Sequence, residues 1–295
     1  TQQFAVTSYD LVNDWQNFFY HQEEPVTSAS AYAQFKVYEL AKQQDVKVLL
    51  DGQGADETLA GYHKYYKWFW QELFRKRKIF RSGELRAAKK NNVQEKFGMK
   101  NVIASFFPDF AAVFLERQYL LNALRHEGLT KDFVRLQSKE AYYTTPSHFT
   151  LNGILYFNTC VHGLEELLRL ADRNSMAHSR ELRLPFLGHE LVEFIFSLPS
   201  RFKIHDGWTK WLLRQSMSNE LPEEIIWKKE KTGFEPPQKI WMQGSDLQDL
   251  IINAKKKLID EKILKPEMLD KKIQPLPAFD ANNYDWRYLN AALCF

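Results

Sequence analysis

Cysteine is scarce in this chain, and long apolar runs are missing. Its two cysteines, Cys160 and Cys294, lie far apart in the sequence, so they form neither a disulfide framework nor a metal-ligand motif. No run approaches the roughly 20 apolar residues needed to cross a bilayer, and no signal peptide opens the chain. We therefore expect a reducing, cytoplasmic location and no membrane partner. Cys160 lies among apolar residues and is predicted to be buried.

An excess of charge of one sign is also missing. The chain has 40 Lys and Arg against 37 Asp and Glu, a net charge of +3, which is too small to indicate a nucleic-acid partner. The basic run 75–78 follows an amphipathic aromatic segment, 62–74, and is interpreted as the solvated end of a helix. With 295 residues and 44% apolar content, the chain can bury a sizeable core.

The periodicity of apolar residues changes after the first fifth of the chain. A helical pattern over 28–43 is followed by one confident strand, 46–50, and then by a glycine-rich turn, an order typical of a parallel α/β layer. After Gly61 the strand signal disappears. We predict an α/β fold that is predominantly helical, in which 1–61 is the remainder of an α/β layer and 62–295 is mainly helical. Further helices are predicted over 102–124, from Thr145-Pro146 through 168, and over 188–196, 209–219, 222–227, 247–258 and 284–293.

The segment 48–57 carries the densest chemical signal. It reads VLLDGQGADE, which predicts a short buried strand and a turn that ends in two carboxylates. Glycine lets a backbone approach a ligand closely, and a loop at the carboxyl end of a strand is where open α/β sheets bind ligands. Asp56 beside Glu57 suits Mg²⁺, which takes one or two protein carboxylates beside phosphate oxygens. The alternative is a solvated turn in which Asp56 merely caps a helix.

Four further motifs follow in a fixed order. They are LRLADRNSMAH at 168–178, ELRLPFL at 181–187, KWLLR at 210–214 and KEKTGF at 229–234. Together with 48–57, they closely resemble the synthetase domain of glutamine-dependent asparagine synthetases. The resemblance runs from about Glu23 to about Pro237.

The resemblance implies a fold and a reaction. The expected fold is a partial parallel-sheet domain of the adenine-nucleotide alpha-hydrolase type (PP-loop ATPase). The expected reaction uses ATP and Mg²⁺ to convert aspartate to β-aspartyl-AMP, which ammonia, free or from glutamine, converts to the amide. The family's Ser-Gly-Gly-x-Asp-Ser nucleotide loop and its glutaminase domain are absent from this sequence. Because the chain also begins with Thr, we expect a carboxyl-terminal fragment whose partners include those upstream segments.

The resemblance also assigns the residues that meet phosphates and metal. Asp56 matches the Mg²⁺ ligand, and Gly52 and Gly54 let the loop backbone approach the acyl-adenylate. Arg173 matches a phosphate contact, with a surface ion pair to Asp172 as the alternative. Lys231 matches the lysine that stabilises transition-state and pyrophosphate charge, with a solvated lysine as the alternative.

Other candidates concern the substrate side. Glu24 matches an acidic position that lines the substrate. Arg183 is predicted either to orient substrate or to be a buried arginine paired with a carboxylate such as Glu181. Gln53 stands where the family usually has Glu, and Asp51 replaces a Ser. We predict that Gln53 orients the acyl group, which leaves the role of general base to Asp51, Glu57 or a water.

Three further positions are interpreted from the sequence. Lys210 and Arg214 lie four residues apart on one helical face and are predicted to flank the anionic pocket. His178 is interpreted as a core or supporting residue rather than a base.

Two other functions stay open at this point. One is a related amide ligase resembling a β-lactam synthetase, because the changes at Asp51 and Gln53 touch the acyl site. The other is a non-catalytic remnant or interaction module that keeps the fold without binding ATP. A Ser-Gly-Gly-x-Asp-Ser loop encoded upstream would favour the enzyme over the non-catalytic remnant. Free ammonia and glutamine are the two alternatives for the nitrogen source, and a homo-oligomer is one alternative for the assembly.

Overall fold

The structure is a computed structural model that describes residues 5–108, 113, 117, 121, 126–137, 146, 149–229, 233–280 and 282–295. None of the helices in these ranges is both long and apolar enough to span a membrane.

Short strands are inserted between many helices. The strands are β1 Val48–Leu50, β2 Glu181–Arg183, β3 Ile204–His205 and β4 Trp208–Thr209. In the first half of the chain the described helices are α1 Ser8–Gln22, α2 Ser30–Gln43, α3 Ala55–Thr58, α4 Tyr65–Arg75, α5 Glu84–Lys90, α6 Met99–Phe106 and α7 Lys131–Gln137. In the second half they are α8 Leu151–Cys160, α9 Leu164–Ala177, α10 His189–Ser197, α11 Trp211–Ser216, α12 Glu223–Ile226, α13 Gln238–Trp241, α14 Ser245–Asp260 and α15 Tyr284–Ala291.

The predicted helices are largely confirmed, with shifted ends. Helices α2, α10, α14 and α15 lie where periodicity predicts them. The stripe through 151–168 is two helices instead of one, because Gly163 has φ +119°, and its first helix is capped by the Thr150 side chain, which accepts from the Gly153 N–H at 3.0 Å. Thr145 and most of the predicted helix beyond Phe106 lie outside the described residues.

A parallel pair of strands confirms the α/β class and corrects the map of strands. β1 pairs with β2 in the register Val48–Glu181, Leu49–Leu182 and Leu50–Arg183. Sequence reasoning missed β2, because ELR is too short to show alternation. β3 and β4 form a separate antiparallel pair.

The prediction that β1 is buried is wrong. Leu50 is 76% exposed and Val48 is 47% exposed. Parallel strands normally have both faces covered, and the described residues leave much of this one open. Cys160 is also exposed rather than buried.

Two apolar clusters hold the helices together. In the first, Phe18 of α1 lies 5.5 Å from Tyr32 and 5.4 Å from Phe35 of α2, centroid to centroid, and α14 and α15 complete it. Trp286 of α15 anchors the chain after α1 by donating its indole N–H to the Val26 carbonyl at 3.2 Å. The second cluster packs α4 against α8 around Trp70 and Leu155.

A buried lysine lies at the edge of the second cluster. Lys203 is 1% exposed and donates to the carbonyls of Ile195 at 2.5 Å and Leu198 at 2.8 Å. Burial lowers the pKa of Lys203 to about 8, against the opposing pull of the Glu72 carboxylate. As the pH rises, Lys203 therefore loses its proton at a lower pH in the folded protein than in the unfolded chain.

This arrangement predicts a pH-dependent stability. Below pH 8 both states hold the proton, and the folded state bears the full cost of a buried charge. Between pH 8 and 10.5 the unfolded chain binds more protons, so stability rises with pH, by up to about 3 kcal/mol. Urea unfolding should be measured for the natural protein and for Lys203→Met. Between pH 8 and 10.5 the free energy of unfolding of the natural protein should rise relative to that of the variant. A constant difference, like that expected for the exposed Lys67→Met, would contradict the shift.

Candidate active site

The loop after β1 is held by the turn after β2. The Asp51 N–H extends the strand pairing by donating to the Arg183 carbonyl at 3.0 Å. Gly54 has φ +88°, and a Cβ there would lie 2.3 Å from Leu187 Cδ2. Gly54 is thus required both by its conformation and by the close approach of Leu187. The ELRLPFL motif and the 48–57 motif therefore form one structural unit.

Asp56, the predicted metal ligand, pairs with Lys210. Its carboxylate lies 2.9 Å from Lys210 Nζ, and both side chains are about one-quarter exposed (27% and 26%). The Lys210 N–H donates to the Leu59 carbonyl at 3.2 Å, just after α3. A Cβ on Gly61 would lie 1.7 Å from Asp56 Oδ1 and 2.4 Å from Lys210 Cε. Gly61 therefore leaves the space in which the two charges meet.

Gln53 carries an unsatisfied polar atom inside this loop. Its Oε1 is buried and lacks a hydrogen-bond partner among the described residues. A buried acceptor without a donor costs about 1–3 kcal/mol. This atom is therefore suited to accept an N–H or O–H from a bound molecule.

Glu57, the carboxylate next to Asp56, is hydrogen-bonded to a tyrosine. Glu57 is 5% exposed and accepts from the Tyr62 hydroxyl at 2.8 Å. Burial first, and then the charge of Glu57, raise the pKa of Tyr62, which stays a neutral donor. Asp51 is the first residue of the loop. Burial of Tyr38 and the negative charge of Asp51 raise the pKa of the Tyr38 hydroxyl.

Arg173 and Glu24 form their ion pairs where α1 ends. Arg173 donates to the Gln22 carbonyl and pairs with Glu23 at 3.1 Å, so its ion pair is not with Asp172. Glu24 pairs with Arg169. Neither Arg173 nor Glu24 has a hydrogen bond or ion pair to the 51–56 loop among the described residues.

Arg183 forms the predicted pair with Glu181 but is not buried. It pairs with Glu181 two residues before it on β2, but its side chain is 65% exposed rather than buried. Its backbone is what reaches the loop, through the carbonyl that receives the Asp51 N–H.

Arg214, which is predicted to flank the same pocket as Lys210, is bonded to backbone carbonyls. Its guanidinium donates to the carbonyls of Thr209 at 2.8 Å and Lys228 at 3.4 Å, and also to that of Ile226. Burial lowers its pKa. Arg214 thus ties α11 to the segment that leads towards Lys231. Lys231 itself lies outside the described residues.

His178 lies in the core, as predicted. It is 7% exposed and its ring packs 4.3 Å from that of Phe35. Burial lowers its pKa, so it stays neutral at neutral pH.

Sequence reasoning gave too little weight to two residues of this site. Gly61 was treated only as a boundary, and Lys210 was considered only as a flanking charge. The position of Gly61 five residues after Asp56 was the one sequence feature that could have indicated this contact. Their contact depends on the folding back of the 148 residues between Gly61 and Lys210, which no local pattern shows.

The described residues contain no group of three or more His, Cys, Asp and Glu side chains suited to hold a metal. A cation at Asp56 would therefore need further oxygens from a bound substrate. That arrangement matches the habit of Mg²⁺, which combines few carboxylates with phosphate oxygens and water.

Comparison with known proteins decides the family. The model of the asparagine synthase family matches residues 1–293. The chain belongs to the asparagine synthase family. No solved structure matches it significantly.

The curated relatives agree with the family. Glutamine-hydrolysing asparagine synthetase 1 of Bacillus subtilis (strain 168) is 25% identical over 250 residues, which cover 81% of this chain and 38% of that protein. The Gallus gallus enzyme is 42% identical over 105 residues, covering 34% of this chain and 18% of the relative. The Homo sapiens enzyme is 44% identical over 68 residues, covering 22% and 12%. The chain thus spans less than two-fifths of the length of these relatives.

Proposed function

We propose that the complete protein containing this chain forms asparagine from aspartate, with ATP and with ammonia or glutamine as nitrogen source, through β-aspartyl-AMP. One observation carries the proposal. Three motifs that are distant in sequence, 48–57, 181–187 and 210–214, meet at a single loop through Gly54, Asp51 and the Asp56–Lys210 pair. Since the relatives are named as asparagine synthetases, a β-lactam-forming enzyme or a non-catalytic remnant is not favoured.

The roles follow from charge and position. Gly52 and Gly54 allow the acyl-adenylate to approach the backbone, and Gln53 orients its acyl group through Oε1. Asp56 would hold Mg²⁺, which would screen the triphosphate from the incoming carboxylate. Lys231 and Arg173 would meet the negative charge that develops on pyrophosphate, and Glu24, Arg183 and Asp51 would complete the substrate side.

The exposed strand supports the proposed partner segments. We propose that the chain is the carboxyl-terminal part of a PP-loop ATPase-type domain, with 1–61 as the remainder of its α/β layer and 62–295 as its helical part. Upstream ATP-loop and glutaminase segments would cover the apolar side chains that β1 leaves open, Val48 at 47% and Leu50 at 76% exposure. Covering both faces is what a parallel sheet requires.

The test uses the complete protein. We expect AMP and pyrophosphate to form in equal amounts from ATP, and only when aspartate is present. Gln53→Leu should lower the rate of amide formation on the order of 10-fold, because one hydrogen bond to the acyl group is lost. Gln16→Leu, at an exposed position on α1, is the matched control and should retain full activity.

Two outcomes would contradict the proposal in different ways. Turnover of ATP that does not depend on aspartate would exclude the proposed substrate. Full activity of Gln53→Leu would place the acyl group away from this loop while leaving the reaction intact.

A further inference from the structure

A cleft of about 570 Å³ lies at the amino-terminal end of α2. It is bounded by the start of α2, by the loop 233–235, by residues 278–280 and by Asn283 and Arg287 at the start of α15. Its volume is within the range of small-molecule sites. The Asp51, Asp56 and Lys210 side chains are not among the residues that line it.

The walls of the cleft are fixed by bonds between distant segments. The Ala29 N–H donates to Gln238 Oε1 at 2.8 Å, and the Ala278 N–H donates to Glu235 Oε1 at 3.1 Å. Trp286 holds Val26 just before the lining residues Thr27 and Ser28. The cleft is therefore part of the folded chain rather than a gap between loose loops.

Asn283 carries an unsatisfied acceptor in this wall. The residue is 3% exposed, and its Nδ2 donates to the Pro277 carbonyl at 3.2 Å. Its Oδ1 is buried and lacks a partner among the described residues. Since native proteins rarely leave such an atom unpaired, Oδ1 is suited to a donor group on a ligand.

Charges of both signs line the same cleft. Glu235 and Asp280 supply carboxylates, and Arg287 supplies an exposed guanidinium that lies 5.3 Å from the centre of the Tyr284 ring. Two phenyl rings at the cleft are largely uncovered, Phe234 at 62% and Phe279 at 79% exposure. A matching ligand has an ammonium group for the carboxylates and Oδ1, a carboxylate for Arg287, and an apolar part for the rings.

We propose that this cleft binds a free α-amino acid with an apolar side chain, at a site separate from the 51–56 loop. The ammonium donates to Asn283 Oδ1, the α-carboxylate pairs with Arg287, and the side chain packs against Phe234 and Phe279. The proposal does not depend on the amide-ligase reaction.

Calorimetry on the complete protein tests the proposal with three probes. L-Phenylalanine should bind in a 1:1 complex with a Kd on the order of 1 mM or tighter. Phenethylamine, which lacks the carboxylate, and 3-phenylpropanoate, which lacks the ammonium, should each bind at least about 10-fold more weakly, because each loses one charged contact.

Matched variants locate the site. Arg287→Met keeps the apolar stem of an exposed side chain and should weaken L-phenylalanine about 10-fold. Lys256→Met removes one equally exposed positive charge from α14 and should leave the Kd unchanged. No binding of L-phenylalanine at several millimolar, equal binding of all three probes, or equal weakening by both variants would each overturn the proposal.

Discussion

Gly54→Ala should destabilise the chain by about 2–4 kcal/mol, the sum of a left-handed backbone strain and an overpacked contact. The backbone has φ +88°, and the new Cβ would lie 2.3 Å from Leu187 Cδ2. Leu187 would have to change rotamer or the turn after β2 would have to move away. Thermal unfolding should show a Tm lower by roughly 5–10 °C, and the complete enzyme should lose most of its amide-forming activity.

Gly52→Ala in the same loop is the matched control for stability. A Cβ on Gly52 meets nothing within 4 Å, so the Tm should stay the same or rise slightly, as Gly→Ala changes do at unstrained positions. Activity should nevertheless fall, because the proposed acyl-adenylate approaches this backbone. Equal Tm values for both variants would contradict the packing role of Gly54, and full activity of Gly52→Ala would contradict the close approach of a ligand.

Lys210→Met should lower the rate of amide formation in the complete protein by on the order of 100-fold, the size of effect typical of losing one electrostatic contact in an active site. Lys210 Nζ lies 2.9 Å from Asp56 and holds that carboxylate in the space left by Gly61. Without it, Asp56 is no longer oriented, and one positive charge is lost from the pocket that would receive pyrophosphate. The free energy of unfolding should change by only about 1 kcal/mol or less, since the pair is partly solvated.

Lys67→Met provides the comparison for this prediction. Lys67 forms an ion pair of similar length with Glu95, 2.8 Å, on the exposed side of α4. Its loss should change stability about as much as Lys210→Met and leave kcat unchanged. If both variants had the same kcat as the natural protein, the Asp56–Lys210 pair would be structural only.

Local patterns identified most helices and the family. Periodicity placed α2, α14 and α15, because each buries one face at intervals of three and four residues. The sequence also placed α10, although Ile195 alone is buried in that helix. The ordered motifs from 48–57 to 229–234 identified the asparagine synthase family, which the match over residues 1–293 confirms. Helix periodicity and short motifs can be identified from the sequence because each involves only residues that are near one another in the chain.

The same patterns failed where distant segments decide the structure. β2 is three residues long and is defined only by its pairing with β1. The exposure of Leu50 depends on which layers cover the strand, and an apolar run cannot show that. Arg214 was predicted to flank the pocket because it lies four positions after Lys210, yet its guanidinium donates to the carbonyls of Thr209, Ile226 and Lys228.

The sequence by itself determined the family, the α/β class with predominant helix, and the loop whose glycines and carboxylates carry the chemical signal. Only the tertiary structure decided which residues meet there. It placed Leu187 on Gly54 and Lys210 on Asp56, and it paired Arg173 with Glu23 and Glu24 with Arg169 at the end of α1. The physical reason is that helix periodicity and turn chemistry act between near neighbours, whereas ion pairs and close backbone contacts form between residues that the folded chain brings together.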